Sequence, residues 1–114
     1  MELRDRIPVC PHGKHENISF DLVAALQRLE LHVGHELSYN SGFRCPDCNA
    51  KAGGSVHSAH LRGLAVDVSC VQSKERFEIL ENAIILGWRS IRIGKTFVHI
   101  EVDSSLPQGV CWTY

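Results

Sequence analysis

The segment Phe97-Val98-His99-Ile100-Glu101-Val102 alternates two kinds of side chain, and this alternation constrains the fold more than any other feature of the chain. Successive residues of a strand point to opposite faces. Val98, Ile100 and Val102 therefore share one face, and Phe97, His99 and Glu101 the other. A histidine and a glutamate on one face of so apolar a strand need a reason to be there. The segment Leu64-Ala65-Val66-Asp67-Val68-Ser69 repeats the pattern, with Asp67 opposite Leu64, Val66 and Val68. A carboxylate in such a strand is costly unless it is paired, hydrogen-bonded or bound to a metal. His60 lies just before this strand, and Gly63 lets the chain turn between them, so His60 and Asp67 can meet on one side of a sheet.

The rest of the chain supplies elements to pack on that sheet. Ser19 is an N-cap for a helix in which Leu22, Leu26, Leu29 and Val33 recur at helical spacing, and Gly34 stops it. Leu37 and Tyr39 predict a short strand that turns at Ser41-Gly42. Residues 45–57 read as a loop with one helical turn around Asn49-Ala50-Lys51. Ser73 begins a second helix with Phe77, Leu80 and Ile84 on one face and Gly87 at its end. Ile91 and Ile93 mark a strand joined to the Phe97–Val102 strand through Gly94-Lys95, which predicts an antiparallel hairpin. The first seventeen residues are polar and irregular and are expected to wrap the domain rather than enter its core. The class is α+β, helices on a small antiparallel sheet, and the whole of 1–114 reads as a single domain.

Composition excludes some functions. A net charge of -1, from 12 basic and 13 acidic residues, lacks the basic excess of a nucleic-acid-binding surface. No apolar run approaches the ~20 residues that cross a bilayer. The charged start, Met1-Glu2-Leu3-Arg4-Asp5-Arg6, does not read as a signal peptide. The expectation is a monomer that is cytoplasmic as synthesised, with no nucleic-acid or membrane partner. Seven histidines are many for 114 residues and favour metal or proton chemistry.

A zinc hydrolase needs a few histidine or carboxylate ligands and one open position for water. His60, Asp67 and His99 are of the right types. On spacing alone, a single histidine is more often a hydrogen-bonded structural residue than a ligand, and Asp67 reads first as a carboxylate capping a turn.

The motifs in order decide more. They are Ser41-Gly42-Phe43-Arg44, Asn49, Gly53-Gly54, Ser58-x-His60-x-x-Gly63-x-Ala65-x-Asp67 and Phe97-Val98-His99-Ile100-Glu101. From Ser41 onward the chain resembles the zinc D-Ala-D-Ala carboxypeptidases, which share a fold with the hedgehog signalling domain. The ending Ser105-Leu106-Pro107-Gln108-Gly109-Val110 through Trp112 is similar to that of small phage and prophage members. The resemblance implies a hedgehog/DD-peptidase-like fold and Zn2+ held by His60, Asp67 and His99. It implies that Arg44 binds substrate or the oxyanion, with Ser58 beside it as a substrate-binding residue. The implied activity is hydrolysis of peptide bonds in peptidoglycan stem peptides or cross-links, as carboxypeptidase or murein endopeptidase. A phage-type member would reach the cell wall after release or delivery. The alternative is a non-catalytic, hedgehog-like zinc-binding recognition module.

One departure keeps that alternative open. In the vancomycin-resistance branch a glutamate three residues before the last zinc histidine is the general base, and here that position is Thr96. Some murein endopeptidases carry a histidine two residues before it, and here that is Phe97. Glu101, which shares the face of His99, is the candidate base, followed by His57 and then Asp103.

Cys45-x-x-Cys48 has zinc-knuckle spacing, and Cys10-Pro11-His12 offers two more ligands. No second Cys-x-x-Cys accompanies it. With five cysteines in all, reduced structural thiols are the simpler expectation.

Overall fold

In the computed structural model, which describes residues 2–113, the chain forms four helices and five strands. In chain order they are α1 (Leu3–Arg6), α2 (Phe20–Val33), β1 (Tyr39–Ser41), α3 (Pro46–Lys51), β2 (Ala65–Ser69), α4 (Ser73–Ile85), β3 (Ser90–Ile93), β4 (Phe97–Glu101) and β5 (Val110–Thr113). Short 3-10 helices cover His15–Asn17 and Ala59–Arg62. The α+β class holds.

The strand order is β1-β2-β4-β3-β5. The first four strands pair antiparallel, including the expected β3–β4 hairpin. The last does not: β5 adds to the edge beside β3 and runs parallel to it, so the sheet is mixed rather than antiparallel. All four residues of β5 are exposed. An edge strand open to solvent on both faces carries no alternation, which is the signal by which a strand is read from sequence.

Alternation in β2 and β4 sorts the side chains as expected. Val66, Val68, Val98 and Ile100 are fully buried on the face that meets the helices. Asp67 and His99 are direct cross-strand partners on the opposite face. The helix α2 is capped at its start by Ser19, whose hydroxyl accepts from Asp21 N–H, and at its end by Gly34 in the left-handed region. Its buried residues Leu22, Leu26 and Leu29 form the centre of the core.

Two expectations are corrected. The N-terminal stretch contributes to the core it was expected to wrap, because Leu3 and Ile7 are buried there. On α4 the buried residues are Ile79 and Ala83, whereas Phe77 and Ile84 are exposed. The helix carries two apolar stripes. The stripe that includes small Ala83 is the one that lets α4 approach α2.

Glu30 braces three elements. It accepts from Arg6 Nη2 of α1 (2.6 Å), from Leu37 N–H (3.0 Å) and from the Tyr39 hydroxyl of β1 (2.8 Å). Burial works against its charge, but these bonds outweigh burial and hold its pKa below the usual 4.5. A depressed carboxylate contributes stability above its unfolded pKa and loses it as pH falls through the folded one. The stabilisation is therefore expected to be complete above about pH 4.5 and to fade below it. Glu30→Gln is expected to cost about 1–2 kcal/mol at pH 7, after allowance for partial solvent screening, and less in acid. Denaturant midpoints of both chains across pH 3–7 check this; a difference that does not shrink in acid would contradict it.

Candidate metal centre

The three residues read from the sequence come together. His60 Nε2 lies 3.3 Å from Asp67 Oδ1, His99 Nδ1 lies 3.1 Å from the same oxygen, and the two ring nitrogens are 3.2 Å apart. His60 is 1% and His99 6% exposed.

Local structure aims each one. His60 sits in the Ala59–Arg62 3-10 helix, whose N-cap Ser58 accepts from His60 N–H through its hydroxyl (3.2 Å). That helix ends at Gly63, with φ +67°, where a Cβ would run into the Asn17 carbonyl. Only glycine serves both needs, the left-handed turn and the close approach. Asp67 and His99 are placed by the β2–β4 register.

The far side of each ring fixes its tautomer. His60 Nδ1 is 2.6 Å from the Gly42 carbonyl, which can only accept, so the proton is on Nδ1. His99 Nε2 is 2.8 Å from Glu101 Oε1, also an acceptor, so that nitrogen carries a proton. In the neutral rings, two nitrogen lone pairs and a carboxylate oxygen then converge on one point without a hydrogen to share. Such a convergence calls for a cation.

Burial and the neighbouring groups act on the protonation of all three donors. Burial lowers the pKa of His60. Burial would do the same to His99, but its bonds to Asp67 and Glu101 prevail and raise it. Burial would raise Asp67, yet the two histidines hold it far below the usual carboxylate range. The spacing also fits: four-coordinate zinc with bonds of about 2.0–2.2 Å puts its ligands roughly 3.3–3.5 Å apart. The donor set is therefore of the right chemistry and size for zinc.

The sequence profile of the family described as Peptidase M15 matches residues 5–101, with all three residues inside the match. The chain belongs to that family. Membership makes it a metallopeptidase, and M15 peptidases are zinc-dependent. No curated protein matches the chain.

In this M15 peptidase the three donors open on a cleft of about 610 Å3. Arg44, Ser58 and His57 line it. The Arg44 main-chain N–H donates to the His60 carbonyl (3.2 Å), and its charge is among the influences that lower the His60 pKa. Arg44 Nε is buried with no hydrogen-bond partner among the described residues. Glu101 also lines the cleft, but one of its oxygens is committed to the nitrogen of His99 that points away from Asp67. Asp103 is buried in an ion pair with Arg62 and accepts from Ser105, and it is not among the residues lining the cleft.

Sequence reasoning missed part of the wall. Arg92 is the β3 partner of His99, and Trp112 is the β5 partner of Arg92; both line the cleft. The Trp112 and His99 ring centroids are 6.3 Å apart. Strand alternation about Ile91 and Ile93 puts Arg92 on the face opposite them, a signal available in the sequence. Trp112 had none, because β5 itself was not legible.

Among the described residues no helix is long and apolar enough to cross a membrane.

Proposed function

We propose that this chain is a single-domain zinc peptidase that hydrolyses peptide bonds in the stem peptides or cross-links of peptidoglycan. The observation that carries this reading is the convergence of His60 Nε2, Asp67 Oδ1 and His99 Nδ1 at a cleft that Arg44 also lines. The cleft, at about 610 Å3, has room for a short peptide segment beside the three donors. The substrate class rests on the likeness of the Ser41–Arg44 and Ser58–Asp67 motifs to the zinc D-Ala-D-Ala carboxypeptidases.

His60, Asp67 and His99 would hold the zinc, which supplies Lewis acidity and makes a water nucleophilic at neutral pH. Arg44 offers a fixed, forked cation to the oxyanion that forms when the amide is attacked, or to a stem-peptide carboxylate. Ser58 holds the turn that aims His60, and its hydroxyl proton is free to donate toward substrate. Glu101 takes the role of positioning residue: its Oε1 fixes the His99 tautomer and ring. The proton for the leaving nitrogen is assigned to His57, whose exposed ring lines the cleft.

Glu101→Gln separates holding from proton transfer. The amide still accepts from His99 Nε2–H but without charge. Zinc affinity is expected to fall about 10-fold, with most turnover restored at saturating zinc. Zinc titrations read beside kcat check this. A turnover that stays low when zinc is saturating would return Glu101 to the proton-transfer step.

The activity is tested by incubating purified peptidoglycan with the protein, with chelator, and with chelator followed by zinc. Released fragments are identified by mass spectrometry. Zinc-dependent release of cleaved stem peptides is expected. Binding to the wall without any cleavage would replace this reading with the recognition module.

A further inference from the structure

A second group of metal-binding side chains forms where the sequence offered only half a motif. Cys10, His12, Cys45 and Cys48 bring one donor atom each within 4.8 Å of one another. His12 Nδ1 lies 3.6 Å from Cys45 Sγ and 3.5 Å from Cys48 Sγ. A neutral imidazole nitrogen has one lone pair, so two thiols cannot each donate a full hydrogen bond to it. Zinc at tetrahedral angles, with bonds of about 2.3 Å to sulfur and 2.0–2.1 Å to nitrogen, puts those atoms roughly 3.6 Å apart. Main-chain N–H groups already point at two of the sulfurs, Cys45 N–H at Cys10 Sγ (3.4 Å) and Cys48 N–H at Cys45 Sγ (3.5 Å). Donors placed on sulfur favour the thiolate, the form that ligates metal. All four thiol and imidazole groups are at least partly exposed, so a metal has a way in.

We propose that Cys10, His12, Cys45 and Cys48 form a second, structural zinc site that shares no residue with the catalytic cluster. Three sulfurs and one nitrogen make a closed set with no position left for water, which is the character of a structural rather than a catalytic zinc. The site ties the N-terminal segment to the turn that carries Arg44. Cys45 follows Arg44 directly, and Cys10 N–H donates to the carbonyl of Phe43 just before it (3.1 Å). A metal there holds both sides of Arg44 in place, so the same ion fixes the N-terminal segment and the cation that faces substrate. The metal site itself needs no catalysis and stands apart from the peptidase reading; only its consequence for Arg44 rests on that reading.

The test uses the full chain and metal content first. The zinc-loaded protein is expected to hold two ions, and His60→Ala to hold one. Loaded with cobalt, His60→Ala is expected to show a thiolate-to-cobalt charge-transfer band. Adding Cys48→Ser is expected to remove the band and the ion, and to lower Tm by at least about 5 °C. A His60→Ala chain with no bound metal, with metal but no thiolate signature, or with an intramolecular disulfide by intact mass would overturn the site. Should the Cys48→Ser chain not fold, thiol labelling of the intact protein decides. Cys10, Cys45 and Cys48 are expected to be shielded with zinc and reactive after chelation, while exposed Cys111 reacts in both states. Equal labelling of all four would refute the proposal. Failure of the catalytic cluster instead would leave one ion that keeps its thiolate signature, so the two readings fail differently.

Discussion

Replacing His99 with alanine is expected to abolish hydrolysis and to remove the catalytic metal while leaving the chain folded. His99 supplies one of three donors, and without it His60 Nε2 and Asp67 Oδ1 face each other with too few ligands to retain zinc firmly. Loss of Lewis-acid stabilisation worth several kcal/mol corresponds to roughly 10³-fold or more in rate. The change also removes the proton donor that Glu101 Oε1 now accepts from, leaving a carboxylate 4% exposed without its partner. Some loss of stability is therefore expected as well, so circular dichroism accompanies the metal and rate measurements. Wild-type zinc content in a folded His99→Ala chain would show that the cluster is not the metal site.

The second large effect concerns Arg44. Arg44→Lys is expected to keep full zinc and to lose about 10²- to 10³-fold in kcat/KM. Lysine keeps the charge but gives up the planar fork, and its donors on one nitrogen cannot reproduce a bidentate hold on a carboxylate or the fixed direction of a guanidinium toward an oxyanion. The main-chain bond from Arg44 to the His60 carbonyl does not involve the side chain, so the metal ligands should stay where they are. Steady-state kinetics on muropeptides and metal analysis of the same preparation check both halves. Unchanged kinetics would remove Arg44 from substrate and oxyanion alike. The split between kcat and KM tells which it serves: an oxyanion role appears in kcat, a carboxylate clamp mainly in KM.

The sequence by itself determined the strands that carry the site, because the rule behind them is local. Alternation in β2 and β4 puts Asp67 and His99 opposite their buried neighbours, whatever the rest of the chain does. The helix α2 was equally legible, since its cap, its apolar spacing and its terminal glycine all lie within one stretch of chain. The ligand set was not fixed by spacing. His60, Asp67 and His99 became a set through the likeness of the surrounding motifs to a known family.

Tertiary structure alone decided what depends on residues far apart in the chain or on solvent. Which stripe of α4 is buried turned on its contact with α2, and periodicity cannot choose between two apolar stripes. The parallel pairing of β5, and with it the place of Trp112 in the cleft wall, came from an exposed edge that carries no pattern. Glu101 shares the face of His99 as alternation requires, but only the folded geometry shows its carboxylate on the ring nitrogen away from Asp67. The meeting of Cys10 and His12 with Cys45 and Cys48 follows from the N-terminal segment folding back along the Phe43–Cys45 turn. A sequence shows which atoms are able to bind a metal. Whether four of them meet is settled by how the chain between them closes, and that closure is a property of the packed fold.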